Sequence, residues 1–359
     1  MAGVTLWLDQ LRWREHLDTV RRSAPGLVPV AKGNGYGFGL ARLAAEAAAL
    51  GVDTLAVGVP AEVAAVRPGF AGDVVVLQPY DADDELAVAT AADPRVISTV
   101  SRLGDLARIA APAGSDRRPR VLVEVITSMR RHGLPPDRLE VLAEYADRLR
   151  VDGWTIHLPL LDSGRYAEAE RLSRAALAAT PAPLWLSHLP PDEAVGLAKQ
   201  LGGAAGTPAP VRLRMGTGLW LGHPTSRQTT ATVLDVHSIR RGERAGYRQR
   251  RVPADGWIVV VAGGTAHGIG LEAPTPAASW RQRAISVATG SLEAAGLALS
   301  PYTIAGRKRW FVEPPHMQSS LVFLPDSVSP PPIGTEVPVE LRLTTATVDR
   351  IVDGSPSGQ

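Results

Sequence analysis

From residue 27 onward the chain alternates between two textures. Short apolar or β-branched runs, LVPVAK (27–32), TLAVGV (54–59), DVVVLQ (73–78), RVISTV (95–100), RVLVEVIT (120–127), VDGWTIHL (151–158), APLWLSH (182–188) and PVRLRMG (210–216), are separated by longer stretches such as LARLAAEAAALG, PDRLEVLAEYADRL and RYAEAERLSRAALAA. A near-continuous apolar run of five to eight residues suits a strand buried on both faces, and the intervening period of 3.6 is that of an amphipathic helix. Eight strands, each followed by a helix, predict an α/β fold: a (β/α)8 TIM barrel over residues 10–227.

After about residue 228 the helical period is lost. ATVLDVHSIRRG, GWIVVVAGG, AISVATG (284–290), PYTIAG, KRWFVEPPH, SSLVFLP and EVPVELRL are short extended runs punctuated by Gly and Pro. They predict a C-terminal all-β domain over 228–353, joined by an N-terminal strand at 4–9 (VTLWLD). The tail 354–359, GSPSGQ, is read as disordered.

Composition adds mainly exclusions. The 359 residues are 45% hydrophobic, enough for a large core. With no cysteine, disulfides, thiolate metal sites and a cysteine nucleophile are ruled out, and no metal is expected. A net charge of +2 without a Lys/Arg stripe argues against a nucleic-acid partner, and the abundance of Ala, Pro and Arg points to a GC-rich genome instead. No run of eighteen apolar residues and no leader-like N-terminus is present, so no membrane partner and a cytoplasmic location are expected.

In such a barrel the chemistry gathers at the C-terminal ends of the strands. The polar residues there are Lys32, Thr127, Arg131, His157, Ser187, His188 and Arg214, followed by Gly216. All the side chains are cations or hydrogen-bond donors, which suits an anionic ligand such as a phosphate with a carboxylate. Lys32 has two readings at this stage: an amine whose pKa is lowered by its surroundings, fit to condense with an aldehyde, or a point charge that holds phosphate.

The stretch VAKGNGYGFG (30–39) resembles the VVKANAYGHG motif of the alanine racemase family, with glycine at 33 and 35 where that family has alanine. The resemblance implies that Lys32 carries pyridoxal 5'-phosphate and that Tyr36 contacts its phosphate. EVITSMRRHGL is similar to the family's KVDTGMGRLGV, which gives Arg131 the phenolic oxygen of the cofactor and the substrate carboxylate. VDGWTIHL resembles the strand that places a histidine, here His157, against the pyridine ring. Within LWLSHL, Ser187 takes the phosphate-ligand position, His188 being the alternative alignment. RMGTGLWLG resembles RPGIxLYG, which implies Arg214 at the pyridine nitrogen and the backbone of Gly216 and Thr217 at the phosphate. In the β-domain RRGERAGYRQR resembles the segment around Val-Gly-Tyr, so Tyr247 becomes the second catalytic base. PHMQSSLVF resembles the CMDQ stretch, so Met317 falls at the substrate carboxylate.

Taken together, the resemblance implies an isomerase: an amino-acid racemase in which Lys32 and Tyr247 serve opposite faces of the α-carbon, in a head-to-tail homodimer whose two sites are composite. D-alanine for a bacterial cell wall is the implied product. An arginine at the pyridine nitrogen cannot cheaply give up a proton, so that nitrogen stays unprotonated and transamination is disfavoured. Tyr247 needs cationic neighbours to act as a base near neutral pH, and Arg240, Arg241, Arg244 and Arg248 are close in sequence. Glu124 stands where the family often has a carboxylated lysine and is expected to orient Arg131. Thr265 and Gln318 replace a tyrosine and an aspartate that narrow the entrance, which implies alanine or a somewhat larger amino acid as substrate. The C-terminal VELRLTTATVDRIV offers no tyrosine for the phosphate. Alternatives that keep the fold are a broad-specificity racemase, a D-amino-acid lyase or decarboxylase, and a non-catalytic cofactor-binding homologue. His267 is open between site and scaffold.

Overall fold

The computed structural model describes residues 2–110, 118–160, 163–202, 207–271 and 298–356. The expected strand AISVATG and the last three residues of the tail lie outside these. The chain divides into two compact units, Arg14–Gly222 and Met1–Trp13 with His223–Gln359.

The first strand, β1 (Val4–Leu8), belongs to the second unit, while the barrel is built from β2 (Val28–Pro29), β3 (Thr54–Val57), β4 (Asp73–Pro79), β5 (Val96–Val100), β6 (Arg120–Val125), β7 (Arg150–His157), β8 (Leu184–Ser187) and β9 (Val211–Met215). These eight strands are parallel in the order β2-β9-β8-β7-β6-β5-β4-β3. A parallel bridge between Val30 and Ala56 brings the two ends of that order together. All eight apolar runs of the sequence therefore become barrel strands. The first is the shortest because Pro29 has no N–H to give the ladder; pairing resumes where Val30 N donates to Met215 O at 2.8 Å.

Val28, Val30, Ala56, Val75, Ile97, Leu122 and Trp185 fill the interior, so the barrel is a packed core and not a pore. The helices seal its outside. Leu40–Ala49 buries Leu43, Ala44 and Ala47 on one stripe, and burying a leucine such as Leu43 contributes about 2 kcal/mol. Asp84 starts the helix Glu85–Ala91 by accepting from Leu86 N and Ala87 N.

The second unit continues with β10 (Arg227–Ile239), β11 (Arg244–Ala245), β12 (Arg250–Arg251), β13 (Gly256–Ala262), β14 (Leu299–Ile304), β15 (Arg307–Phe311), β16 (Ser319–Pro325), β17 (Glu336–Pro338) and β18 (Arg350–Asp353). Its main sheet runs β14-β15-β16-β13-β10-β1-β18, with β17 also on β10. β1 pairs antiparallel with β10 and parallel with β18, from Thr5 opposite Arg350 to Leu8 opposite Asp353. Val4, Val233, Val259, Val261, Tyr302 and Val322 are among the residues of its core.

At the N-terminal face of the barrel, away from the strand ends that carry the candidate chemistry, Arg120 ties three strands together. Its guanidinium lies 2.7 Å from Asp73 at the start of β4 and donates at 2.9 and 3.0 Å to Asp152 of β7. With Arg120 and Asp152 mostly shielded from water, truncating the arginine takes this partner from Asp73 and leaves Asp152 with the exposed Arg150 at 3.3 Å. Arg120→Ala is expected to lower the stability of the barrel unit by ~3 kcal/mol, read as an earlier urea midpoint, with Arg120→Lys intermediate because an ammonium lacks the fork.

Candidate active site

Lys32 stands at the mouth of the barrel, just past Ala31, whose N–H donates to Ala56 O. The chain then turns sharply: Asn34 Oδ1 accepts from Tyr36 N at 3.1 Å, and Tyr36 itself has φ +55°, between Gly35 at +62° and Gly37 at +82°. A left-handed tyrosine costs about 1 kcal/mol, so strain is concentrated in this loop. The turn sends the phenol inward, where only 7% of the residue is exposed, and burial pushes its pKa up to about 12. Tyr36 therefore remains a hydrogen-bond donor at neutral pH. A Cβ added at Gly216 would overlap the Tyr36 hydroxyl, so two residues expected at the phosphate meet, and glycine at 216 makes that approach possible.

A residue not singled out in the sequence holds the Lys32 turn. Glu62 accepts from Gly33 N and Gly58 N, each at 2.6 Å, and from Val59 N at 3.2 Å. Its sequence signal is slight, an acidic residue in the first turn of the short helix Glu62–Val66. Partial burial lowers the pKa of the Lys32 ammonium, Arg131 and Arg214 lower it further, and the Glu62 carboxylate opposes them. The amine is thus closer to its neutral, nucleophilic form than a free lysine.

Arg214, on β9, is buried. Burial lowers its pKa to about 10, with Glu124 pulling it up and Arg131 pushing it down, and it stays a cation at neutral pH. Its Nε and Nη2 are buried with no acceptor among the described residues. Glu124 is buried on β6 and accepts from Ser101 Oγ at 2.6 Å. Its charge bears on Arg214; Arg131, with which the sequence pairs it, lies on the loop that follows the same strand. That loop is closed by Ile126 N to Leu134 O and Leu134 N to Glu124 O, at 3.0 and 2.7 Å. Ser128 fastens it to Glu168 through N and Oγ at 2.6 and 2.8 Å. The Arg131 charge reaches Lys32, His157 and Arg214.

His157 ends β7, and its Nδ1 is 2.6 Å from Ser187 Oγ at the end of β8. Burial, then Arg214, Arg131, His188 and Lys32, lower its pKa to about 3, so the ring is neutral. His188 follows in a left-handed conformation, φ +61°, with its ring centroid 4.8 Å from that of His157. Its Nδ1 lies 2.8 Å from Leu158 O, and because a carbonyl only accepts, the proton sits on Nδ1 and the neutral ring offers a lone pair at Nε2. Thr127 Oγ1 donates to His157 O at 2.9 Å and so steadies this strand end. Thr217 begins the short helix Thr217–Trp220, which is pinned where buried Trp220 Nε1 donates to Val30 O at 2.8 Å.

In the β unit, Tyr247 lies on the hairpin between β11 and β12 and is 84% exposed. Its ring contacts His316, with centroids 4.5 Å apart, while among the neighbouring arginines Arg244 Nη1 donates to Gln249 O. Met317, also well exposed, lies beside the 263–268 loop: Gly263 N donates to Gln318 O, Thr265 N to His316 O and Ala266 N to Met317 O, at 2.8 to 2.9 Å. The β unit therefore groups Tyr247, Thr265, His316, Met317 and Gln318. His267 is scaffold: Gly264 N donates to its Nδ1, which leaves the proton on Nε2 to face Asp349 at 3.2 Å.

The depressed pKa of His157 has a consequence for stability. Unfolded, the ring takes a proton below its ordinary value of 6.5; folded, it does not until about pH 3. Its contribution is therefore intact above pH 6.5 and is lost progressively as pH falls toward 3. His157→Asn, which keeps a polar group near Nδ1 but cannot ionise, is expected to flatten this acid limb in urea unfolding series.

Residues 8–188, just over half of the chain, match the family model for the alanine racemase N-terminal domain. A catabolic alanine racemase of Mesorhizobium japonicum is 32% identical over 198 residues, covering 51% of each chain. An alanine racemase of Nitratidesulfovibrio vulgaris strain Miyazaki F is 38% identical over 102 residues, 28% of this chain and 27% of that one. These matches thus span about half or less of the curated relatives' length. Among solved structures, an alanine racemase of Clostridium difficile 630 superposes with TM-score 0.71 at 16% identity, covering 98% of this chain and 96% of the other. One from Bartonella henselae with covalently bound pyridoxal phosphate gives 0.70 at 16% identity over 98% and 100%. These structures share its fold, and the family match spans the barrel up to His188: the chain belongs to the alanine racemase family.

Proposed function

We propose that this protein is a pyridoxal-phosphate-dependent amino-acid racemase, an isomerase acting on alanine or a somewhat larger amino acid. The observation that carries the reading is Arg214, a buried guanidinium at the end of β9 whose Nε and Nη2 have no acceptor among the described residues, in a cluster with Lys32, Arg131, His157 and His188. Buried donors without acceptors are costly, and a ligand ring nitrogen that accepts from Arg214 offsets that cost. The phosphate falls to Tyr36, Ser187 and the backbone of Gly216 and Thr217, where a protonated phenol and a serine hydroxyl supply donors. The donor set therefore fits the cofactor, with Lys32 as the covalent attachment.

When bound, the cofactor supplies an electron sink for the pair left on the α-carbon by deprotonation. The chain's own groups do the rest. Lys32, with its lowered amine pKa, takes or returns the α-proton on one face; Arg131 holds the substrate carboxylate, a role the family resemblance also gives Met317; Arg214, unable to give up its proton readily, would keep a ring nitrogen held before it unprotonated. His157, neutral and fixed by Ser187, would lie against the bound ring without adding a charge. Tyr247 of a second copy serves the opposite face in a head-to-tail dimer. The threonine at 265 and glutamine at 318, which resemble no tyrosine or aspartate gate, favour a substrate range that extends beyond alanine. No helix among the described residues is long and apolar enough to cross a membrane.

The purified protein incubated with pyridoxal phosphate is expected to show a visible absorption band that Lys32→Ala abolishes. Racemase activity, measured as loss of optical rotation with L-alanine and with larger L-amino acids, is expected to fall on the order of a thousandfold in Lys32→Ala and in Tyr247→Phe. A colourless wild-type protein overturns the cofactor assignment; carbon dioxide release without racemisation overturns the reaction class.

A further inference from the structure

Tyr247 presents a difficulty as a base: it is 84% exposed on a two-strand hairpin of only four paired residues, and an unrestrained phenol there samples many directions. The structure restrains it in an unexpected way. Glu313 is 4% exposed, and its carboxylate accepts from Tyr247 N at 2.9 Å and Arg248 N at 3.2 Å. The same carboxylate lies 2.6 Å from His316 Nε2, and the His316 ring packs against the Tyr247 ring at 4.5 Å and 40°. Glu313 thus holds both ends of the tyrosine, its backbone directly and its ring through an imidazole. Burial pushes the Glu313 pKa up, but the His316 hydrogen bond and the Tyr247 and Arg248 amides outweigh it, so the group remains a carboxylate and Nε2 is the donor. Between the two residues lie Pro314 and Pro315, whose fixed φ angles stiffen the turn that sets them three apart.

We propose that Glu313 and His316 are positioning residues for Tyr247 in racemisation, fixing the phenol so that it delivers a proton to one face of the substrate α-carbon. The inference rests on the racemase reading above and names residues that reading does not use. A misplaced proton donor by ~1 Å costs on the order of a hundredfold in rate. Because Lys32 serves the other face, the loss should be confined to one side of the reaction.

The test follows each alanine enantiomer in deuterium oxide with the cofactor-loaded protein, scoring both α-proton exchange and inversion, for wild type, Glu313→Gln, His316→Phe and Tyr247→Phe. His316→Phe keeps a ring against Tyr247 but removes the bond to Glu313, so it reports on the anchor even where Glu313→Gln perturbs the hairpin fold. Expected are a ten- to hundredfold fall in kcat for racemisation with KM little changed, and continued exchange with retention of configuration for the enantiomer that Lys32 deprotonates. His316→Phe should add nothing in the Tyr247→Phe background, as residues acting through one group are not additive. Unchanged racemisation in His316→Phe overturns the proposal, as does equal loss of exchange for both enantiomers. A wild-type protein that binds the cofactor yet exchanges neither enantiomer instead defeats the racemase reading, and this inference with it.

Discussion

The barrel organises itself around the cost of crowding positive charge. Lys32, Arg131 and Arg214 approach the strand ends together, two histidines are held neutral beside them, and the carboxylate that bears on Arg214, Glu124, sits beneath the cluster on β6. In a low-dielectric setting such a group is unstable unless something negative shares it. Much of the surrounding architecture can be understood as meeting that cost: Glu62 beside the lysine turn, Glu124 under the arginine, and glycine at 216 to let a phenol close the wall. The positive charges nonetheless outnumber these carboxylates, and that imbalance favours an anionic ligand at the strand ends.

The fold was largely legible because buried parallel strands leave an unambiguous trace. TLAVGV or RVLVEVIT has too few polar residues to lie at a surface, and eight such runs spaced by helical segments admit few arrangements. LVPVAK was legible as a strand although Pro29 limits its ladder to two residues. The barrel members of the site were legible for a related reason: a polar residue that ends an apolar strand points at the mouth, as Lys32, His157 and Ser187 do. Arg214 belongs to the same set, but its lack of acceptors is a tertiary fact that no sequence pattern carries.

Residues that act through backbone atoms were hidden. Among the described residues Glu62 accepts only from amides, so its importance lies in where Gly33, Gly58 and Val59 happen to meet. Nothing distinguishes it from the acids that commonly open helices. Glu313 is similar: EPPH reads as a proline turn, and the carboxylate becomes informative only when the Tyr247 hairpin folds onto it. The spacing of Glu124 and Arg131 along one strand and loop suggests that they act together, but the pull of Glu124 on Arg214, which β8 and β7 separate from it in the strand order, is a tertiary fact that no spacing carries.

The pairing of β1 with both β10 and β18 bears on the order of events during synthesis. Residues 14–222 contain every strand of the barrel, so that unit can close while the remainder is still being made, whereas the β sheet draws on residues 4–8 and 350–353 at once. The first strand emerges early, already apolar on its buried face, and must wait through more than three hundred residues of translation for its parallel neighbour. Its antiparallel neighbour β10 is made first, and until β18 follows, the other side of β1 is an unpaired edge, the kind of segment chaperones engage. The hairpin of Tyr247 belongs to this late-completing half, so the proposed second base would be among the last parts of the molecule to reach its final form.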